Sequence, residues 1–305
     1  MRLMKYASAI GAASALAIAS QAAAEPLPAP TLSPLVLIDD EGKYGQDAQM
    51  TITLKQPVLD LAVAAQSSAT FAPGSTVYGL PWLGFDHRTL LRKASFSQGD
   101  PRAISDTTYC SPLFTVNKDF REAQAEKGDF LPDEKNLRAC FFDTDADATF
   151  DKMAITGTGS QKYRTPFDIA PIRYSENGAQ PIGDMRWRLV AKVEDRTRSL
   201  GVLGMLSQRL VLQAQTNGAT GRFDEVTTHL LGEGCAGGKI PIDTNLNPKR
   251  LPTTFSFGCA QLDIKAYDRK KRQLSYRIVE PMATEPVRMT VSFQDIYGGT
   301  IYSLD

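Results

Sequence analysis

Apolar and polar residues alternate along much of the second half of the chain. Met185, Trp187, Leu189, Ala191 and Val193 alternate with Arg186, Arg188, Val190 and Lys192. A period of two places successive side chains on opposite faces of a sheet, so this segment reads as a strand with one wet face. The same period recurs at Leu210, Leu212 and Ala214, at Leu262, Ile264 and Ala266, at Leu274, Tyr276 and Ile278, and at Val287, Met289, Val291 and Phe293. In the first half, Leu35 to Ile38 is a short apolar run, Met50, Ile52 and Leu54 alternate with threonines, and Val58 to Val63 follows Pro57. Two such neighbours with a turn between them predict a hairpin, and Thr76 to Leu80 reads as a further strand. The run Asn117 to Gly128 has a polar start, good helix formers and a glycine stop, the marks of one short helix. Short strands joined by turns predict a mostly β fold of antiparallel sheets, arranged as a sandwich or barrel.

The ends of the chain follow other patterns. Arg2 and Lys5 precede an apolar, alanine-rich run from Ala7 to Ala19, and Ala22-Ala23-Ala24 supplies small residues before Glu25. These are the three parts of an export signal, so residues 1–24 are expected to be a leader and the destination periplasmic or secreted. The apolar run is shorter than the roughly 20 residues that span a bilayer, and no transmembrane segment is expected after cleavage. Four prolines between Glu25 and Pro34 make residues 25–34 an extended linker. Gly157-Thr158-Gly159-Ser160 interrupts the strand pattern and divides the remainder into β-rich halves, 35–160 and 161–305, as two domains or one continuous one.

Charge narrows the partners. Without Arg2 and Lys5, the 34 basic residues become 32 against 34 acidic ones, a formal charge of −2. Phosphate contacts dominate nucleic-acid affinity and call for a basic excess, so no nucleic-acid partner is expected. Four cysteines, Cys110, Cys140, Cys235 and Cys259, lie in a chain read as exported, where oxidation into two disulfides is the default. Three pairings are possible. The sequential one, Cys110 with Cys140 and Cys235 with Cys259, places one staple in each half. No two cysteines have the close spacing of a zinc knuckle.

The most chemically specific stretch is Leu137 to Asp151, reading Leu-Arg-Ala-Cys-Phe-Phe-Asp-Thr-Asp-Ala-Asp-Ala-Thr-Phe-Asp. Asp143, Asp145, Asp147 and Asp151 fall at positions 1, 3, 5 and 9 of a short loop. Alternate carboxylates on a curved loop turn inward together, and a backbone carbonyl near Thr149 can add another oxygen for a hard cation. The stretch resembles calcium-binding loops of the EF-hand and, more nearly, the nine-residue Asp-x-Asp-x-Asp-Gly-x-x-Asp loops of β-rich cell-surface repeats. The resemblance implies a Ca²⁺ held by Asp143, Asp145, Asp147, Thr149 and Asp151. Both families place glycine at position 6, where this chain has Ala148, and Ala154 stands where an EF-hand needs its bidentate glutamate. The other reading of the stretch is an acidic hairpin turn, because aspartate favours turns through side-chain to backbone hydrogen bonds.

Other motifs fail on context. Gly232-Glu233-Gly234-Cys235-Ala236-Gly237 satisfies a dinucleotide glycine pattern, but Pro241 and Pro248 follow where its helix should run, so no nucleotide cofactor is expected. Arg269-Lys270-Lys271-Arg272 lies between two alternating strands and reads as a solvated turn. Trp82, Phe85 and His87 gather aromatics beside a histidine as a candidate pocket, or as core residues next to a turn with His87 at the surface. No nucleophile elbow occurs. Two functions fit: a non-catalytic exported protein that binds an envelope component, a glycan or another protein, and an exported hydrolase working through paired carboxylates.

Overall fold

A computed structural model describes residues 30–75, 85, 87–96, 105, 107–115, 136–157, 166–198, 205–217, 221–231, 239–241, 243–257, 260–282, 286–293 and 300–304. The expected helix at 117–128, the strand at 76–80, Trp82, Cys235 and Cys259 lie outside these residues. The fold is mostly β, with barrel-like and sandwich sheets. Among the described residues the only helical piece is a 3-10 turn, Pro248–Arg250.

The chain begins with β1 (Thr31–Leu32), β2 (Leu35–Ile38), β3 (Gln49–Thr53), β4 (Pro57–Ala65) and β5 (Ser68–Phe71). It continues with β6 (Leu91–Ser95), β7 (Thr107–Cys110), β8 (Phe114–Thr115), β9 (Asn136–Asp143), β10 (Thr149–Gly157) and β11 (Phe167–Asn177). Then come β12 (Gln180–Arg198), β13 (Met205–Thr216), β14 (Asp224–Leu230), β15 (Lys239–Ile240) and β16 (Asp243–Leu246). The last strands are β17 (Thr253–Phe257), β18 (Ala260–Asp268), β19 (Gln273–Glu280), β20 (Pro286–Phe293) and β21 (Thr300–Leu304).

Of the three sheets among the described residues, two close on themselves. In the first, β6, β5, β11, β10, β9 and β7 pair in turn and β7 returns to β6, a ring of antiparallel strands that leaves no edge within it. Its interior is filled by Phe71, Leu91, Tyr109, Phe141, Phe150, Met153 and Tyr174 among others, all nearly or fully buried. The aromatic rings interlock, with Phe150 stacked on Tyr174 at 4.1 Å between centroids and Phe71 edge-on to Phe141 at 5.2 Å. Alternation sends Phe142, Ala154, Ala94, Cys110 and Cys140 to the outer face, where they form a smaller cluster. Cys110 and Cys140 are directly opposed across β7 and β9 and form a disulfide.

The second ring runs β14, β13, β12, β4, β2 and β20, and β20 pairs back to β14. Trp187, Leu189 and Ala191 point inward, as their period of two requires, while Arg186, Arg188 and Lys192 face out. Trp187 is fully buried and its indole N–H donates to Thr228 Oγ1 at 2.9 Å, which meets the one polar need of that side chain. The third sheet, β17-β18-β19-β3, packs Leu262, Ile264, Leu274, Tyr276 and Ile278 into the same core. The Arg269–Arg272 segment forms the turn between β18 and β19, as its sequence predicts.

β3 and β4 do not form the expected hairpin. β3 pairs with β19 in the third sheet and β4 with β2 and β12 in the second ring. The turn at Leu54-Lys55-Gln56 redirects the chain, with Lys55 at φ 78° and its N–H donating to Ala191 O at 3.0 Å. The rings are joined by strands that continue from one into the other. β4 and β5 run beside β12 and β11, with Ser68↔Asn177 on one side of the junction and Ala65↔Gln180 on the other.

Candidate metal centre

The acidic stretch is the turn of the β9–β10 hairpin. Lys152↔Phe142 through Gly157↔Leu137 fix its register. Phe141 and Phe150 enter the barrel interior on either side of the turn, so the loop Thr144–Ala148 is anchored at both ends by buried rings. The register of β10 against β11 shifts between Phe150 and Lys152, a bulge centred on Asp151.

Asp143 organises the loop. Its side chain is 1% exposed, and its carboxylate accepts from Asp147 N at 3.2 Å, Ala148 N at 3.0 Å and the Tyr174 hydroxyl at 2.8 Å. Tyr174 N donates in turn to Ala148 O at 3.2 Å. Burial, and then the hydrogen bond to Asp143, hold the Tyr174 phenol above its ordinary range, so it remains a donor. Asp151 fastens the other side by accepting from Thr144 N at 3.1 Å and from the Thr144 hydroxyl. Ala146 and Ala148 lie in the left-handed region, at φ 61° and 64°. Ala148 occupies the position where calcium loops carry glycine, and the backbone there has the conformation glycine favours.

One carboxylate oxygen from each of Asp143, Asp145 and Asp147 lies within 4.8 Å of the others, with Asp145 and Asp147 exposed. Oxygens each about 2.4 Å from a shared Ca²⁺ can be no more than about 4.8 Å apart, so the spacing suits one cation. Among the described residues no lysine or arginine pairs with these three. Elsewhere acids have cations: Asp60 takes Arg186 and Arg188, each at 2.8 Å, and Asp263 takes Lys265 and Arg277; the Thr254 hydroxyl first, and then these two cations, hold Asp263 down at about 2. Asp145 is pushed the opposite way, first by local desolvation and then by the charges of Asp147, Asp143 and Asp151. A cation bound among the three would relieve that repulsion.

The remaining expected residues fall elsewhere. Asp151 directs both oxygens to Thr144, outside the three-carboxylate group. Thr149 begins β10 opposite Arg173. Phe85 is half-buried and packs edge-on against Phe141 at 6.0 Å, and His87 is exposed in a turn. Tyr174 of β11 is the residue holding this loop that sequence reasoning missed. It lies 31 positions from Asp143 and reaches it because β11 pairs with β10. No family model, curated protein or solved structure matches the chain.

Proposed function

We propose that this chain is an exported β-barrel protein with a binding or structural role, whose β9–β10 loop holds a Ca²⁺ as a local staple. The observation that carries the metal assignment is the group Asp143, Asp145 and Asp147, each with a carboxylate oxygen within 4.8 Å of the others and with no basic partner among the described residues. The donors are all oxygens, which suits a hard cation and disfavours zinc or copper, whose sites draw on imidazole or thiolate. Export is supported by the leader-like Met1 to Ala24 and by the Cys110–Cys140 disulfide, a bond that persists in oxidising compartments. Outside the cell calcium is abundant, and a site of few protein ligands belongs to the weak class, with Kd of about 10⁻⁴ to 10⁻³ M. The partner is an envelope component, a glycan or a protein.

The test is a thermal melt in millimolar Ca²⁺ and in chelator, with Mg²⁺ as a control and Asp145→Ala alongside. Ca²⁺ at about ten times Kd should stabilise the wild type by about 1.4 kcal/mol and leave the variant unmoved. Equal melting with and without Ca²⁺ in the wild type would reduce the stretch to an acidic turn.

A further inference from the structure

Two turns at one end of the third sheet gather five exposed cations. The turn between β18 and β19 carries Arg269, Lys270, Lys271 and Arg272, and the turn after β3 carries Lys55. β3 pairs with β19 up to Thr53↔Gln273, and the two turns meet where Leu54 N donates to Arg272 O at 2.8 Å. Strand pairing thus adds Lys55 to a run that the sequence shows only as four. Asp268 is the one acid in these turns, so the local charge is +4 in a chain of zero formal net charge. Among the described residues, Lys55, Lys270, Lys271 and Arg272 make no ion pair. On the adjoining β12 and β13, by contrast, Lys192 and Arg209 are balanced by Glu194 and Glu225.

The backbone beneath these cations is fixed. Asp268 Oδ1 accepts from Lys270 N at 2.9 Å and Lys271 N at 3.0 Å, and Lys55 N donates to Ala191 O at 3.0 Å. Lys55 and Arg272 both take left-handed backbone, at φ 78° and 54°, where glycine or asparagine is the less strained choice. Each turn therefore keeps a cation at a position that disfavours it, the kind of outlier from which a function is inferred. Shape decides among anions. The cations sit on turn tips and not along a groove, so a linear polymer has nothing to run in. Residues 53–57 and 268–273 hold no aromatic ring on which a nucleic-acid base could stack. A plane of phosphates can meet all the tips together, and a cluster of this many basic residues is what an anionic bilayer attracts.

We propose that this end of the third sheet docks on an anionic lipid surface through Lys55 and the Arg269–Arg272 turn. The inference names as lipid the envelope component left open above, and it rests on the export reading only for where that lipid is met. The test is vesicle sedimentation with purified protein lacking residues 1–24, which keeps every described residue. Vesicles are phosphatidylcholine alone or mixed with phosphatidylglycerol, soluble polyphosphate is the comparison, and chelator prevents calcium from bridging the acidic loop to lipid. The mixed vesicles should bind, the neutral ones should not, and added salt should weaken the binding. Lys270→Gln with Lys271→Gln should lower the partition about 25-fold, at about fivefold per cation. Lys93→Gln with Arg173→Gln removes the same charge from exposed positions on the first ring and should leave binding unchanged. Failure to bind the mixed vesicles, equal binding to neutral ones, an equal loss in the first-ring pair, or tighter binding to polyphosphate than to vesicles would each overturn the proposal. Retention of Met1 to Ala24 in the cell would instead count against export and leave the vesicle result standing.

Discussion

Replacing Ala148 by glycine is expected to stabilise the protein by about 0.5–1 kcal/mol. At φ 64° the Cβ of Ala148 crowds its own backbone, and the left-handed conformation costs an L-residue about 1–2 kcal/mol. Glycine avoids that cost but loses about 0.5–1 kcal/mol more conformational freedom on folding, which leaves the smaller net gain. Nothing else changes at the site. The side chain is exposed, and both hydrogen bonds of the residue, its N–H to Asp143 and its carbonyl from Tyr174 N, are made by backbone. Urea unfolding in chelator measures the effect as a higher midpoint at unchanged slope. Ala170→Gly in β11 is the control, since Ala170 is exposed in extended backbone and glycine there should lower the midpoint. If Ala148→Gly lowers the midpoint as Ala170→Gly does, the left-handed turn and the loop geometry built on it are wrong.

Removing the disulfide with Cys110→Ala and Cys140→Ala opens a loop of 30 residues and should cost about 3.5 kcal/mol by the chain-entropy relation, read from the difference in unfolding free energy. Asp143→Asn replaces an acceptor of three hydrogen bonds by a group that must turn an amide N–H₂ toward at least one of those donors. It should cost about 3 kcal/mol with or without calcium, and loss of calcium response alone at full stability would contradict the anchoring role. Asp145 carries a raised pKa in the fold, so the folded form binds the proton more readily than the unfolded form. The contribution of Asp145 to calcium-free stability, read as the difference between the wild type and Asp145→Asn, should therefore rise as pH falls through the folded-state pKa, with the gain complete below the unfolded value. A carboxyl-carbon NMR titration should place the Asp145 midpoint above its ordinary value, lower it in Asp147→Asn and lower it further with Ca²⁺. A midpoint insensitive to Asp147→Asn would remove the repulsion from the account.

The strands were legible because burial alternates with the pleat. Trp187, Leu189 and Ala191 could be assigned to one face from spacing alone, and they line the second ring. Ring closure was not legible, because it depends on pairs such as Val226↔Val291 and Phe71↔Tyr174 that join strands distant in sequence, and periodicity carries no partner information. The failed hairpin at Thr53–Pro57 has the same cause: two adjacent strands with a turn between them also describe a chain passing from one sheet to another. At the acidic loop the aspartate spacing located the carboxylate group. The division of labour within it was hidden, since Asp151 is taken up by Thr144 of its own loop, while Asp143 is reached by Tyr174 from 31 positions away.

That division bears on what a cation would do here. The loop takes its shape from hydrogen bonds the protein supplies itself: Asp143 to the two amides and Tyr174, and Asp151 to Thr144. A cation is not required to fold the turn, so binding would draw on the relief of repulsion at Asp145 and Asp147 more than on ordering of the chain. Preorganisation of this kind lowers the entropy lost on binding. Against it, Asp143 already has both oxygens engaged, which weakens it as a ligand. The two effects oppose each other, and with only two exposed carboxylates free to move toward the ion, the result is a weak site. A site of that strength would fill where calcium is millimolar and stay empty where it is submicromolar.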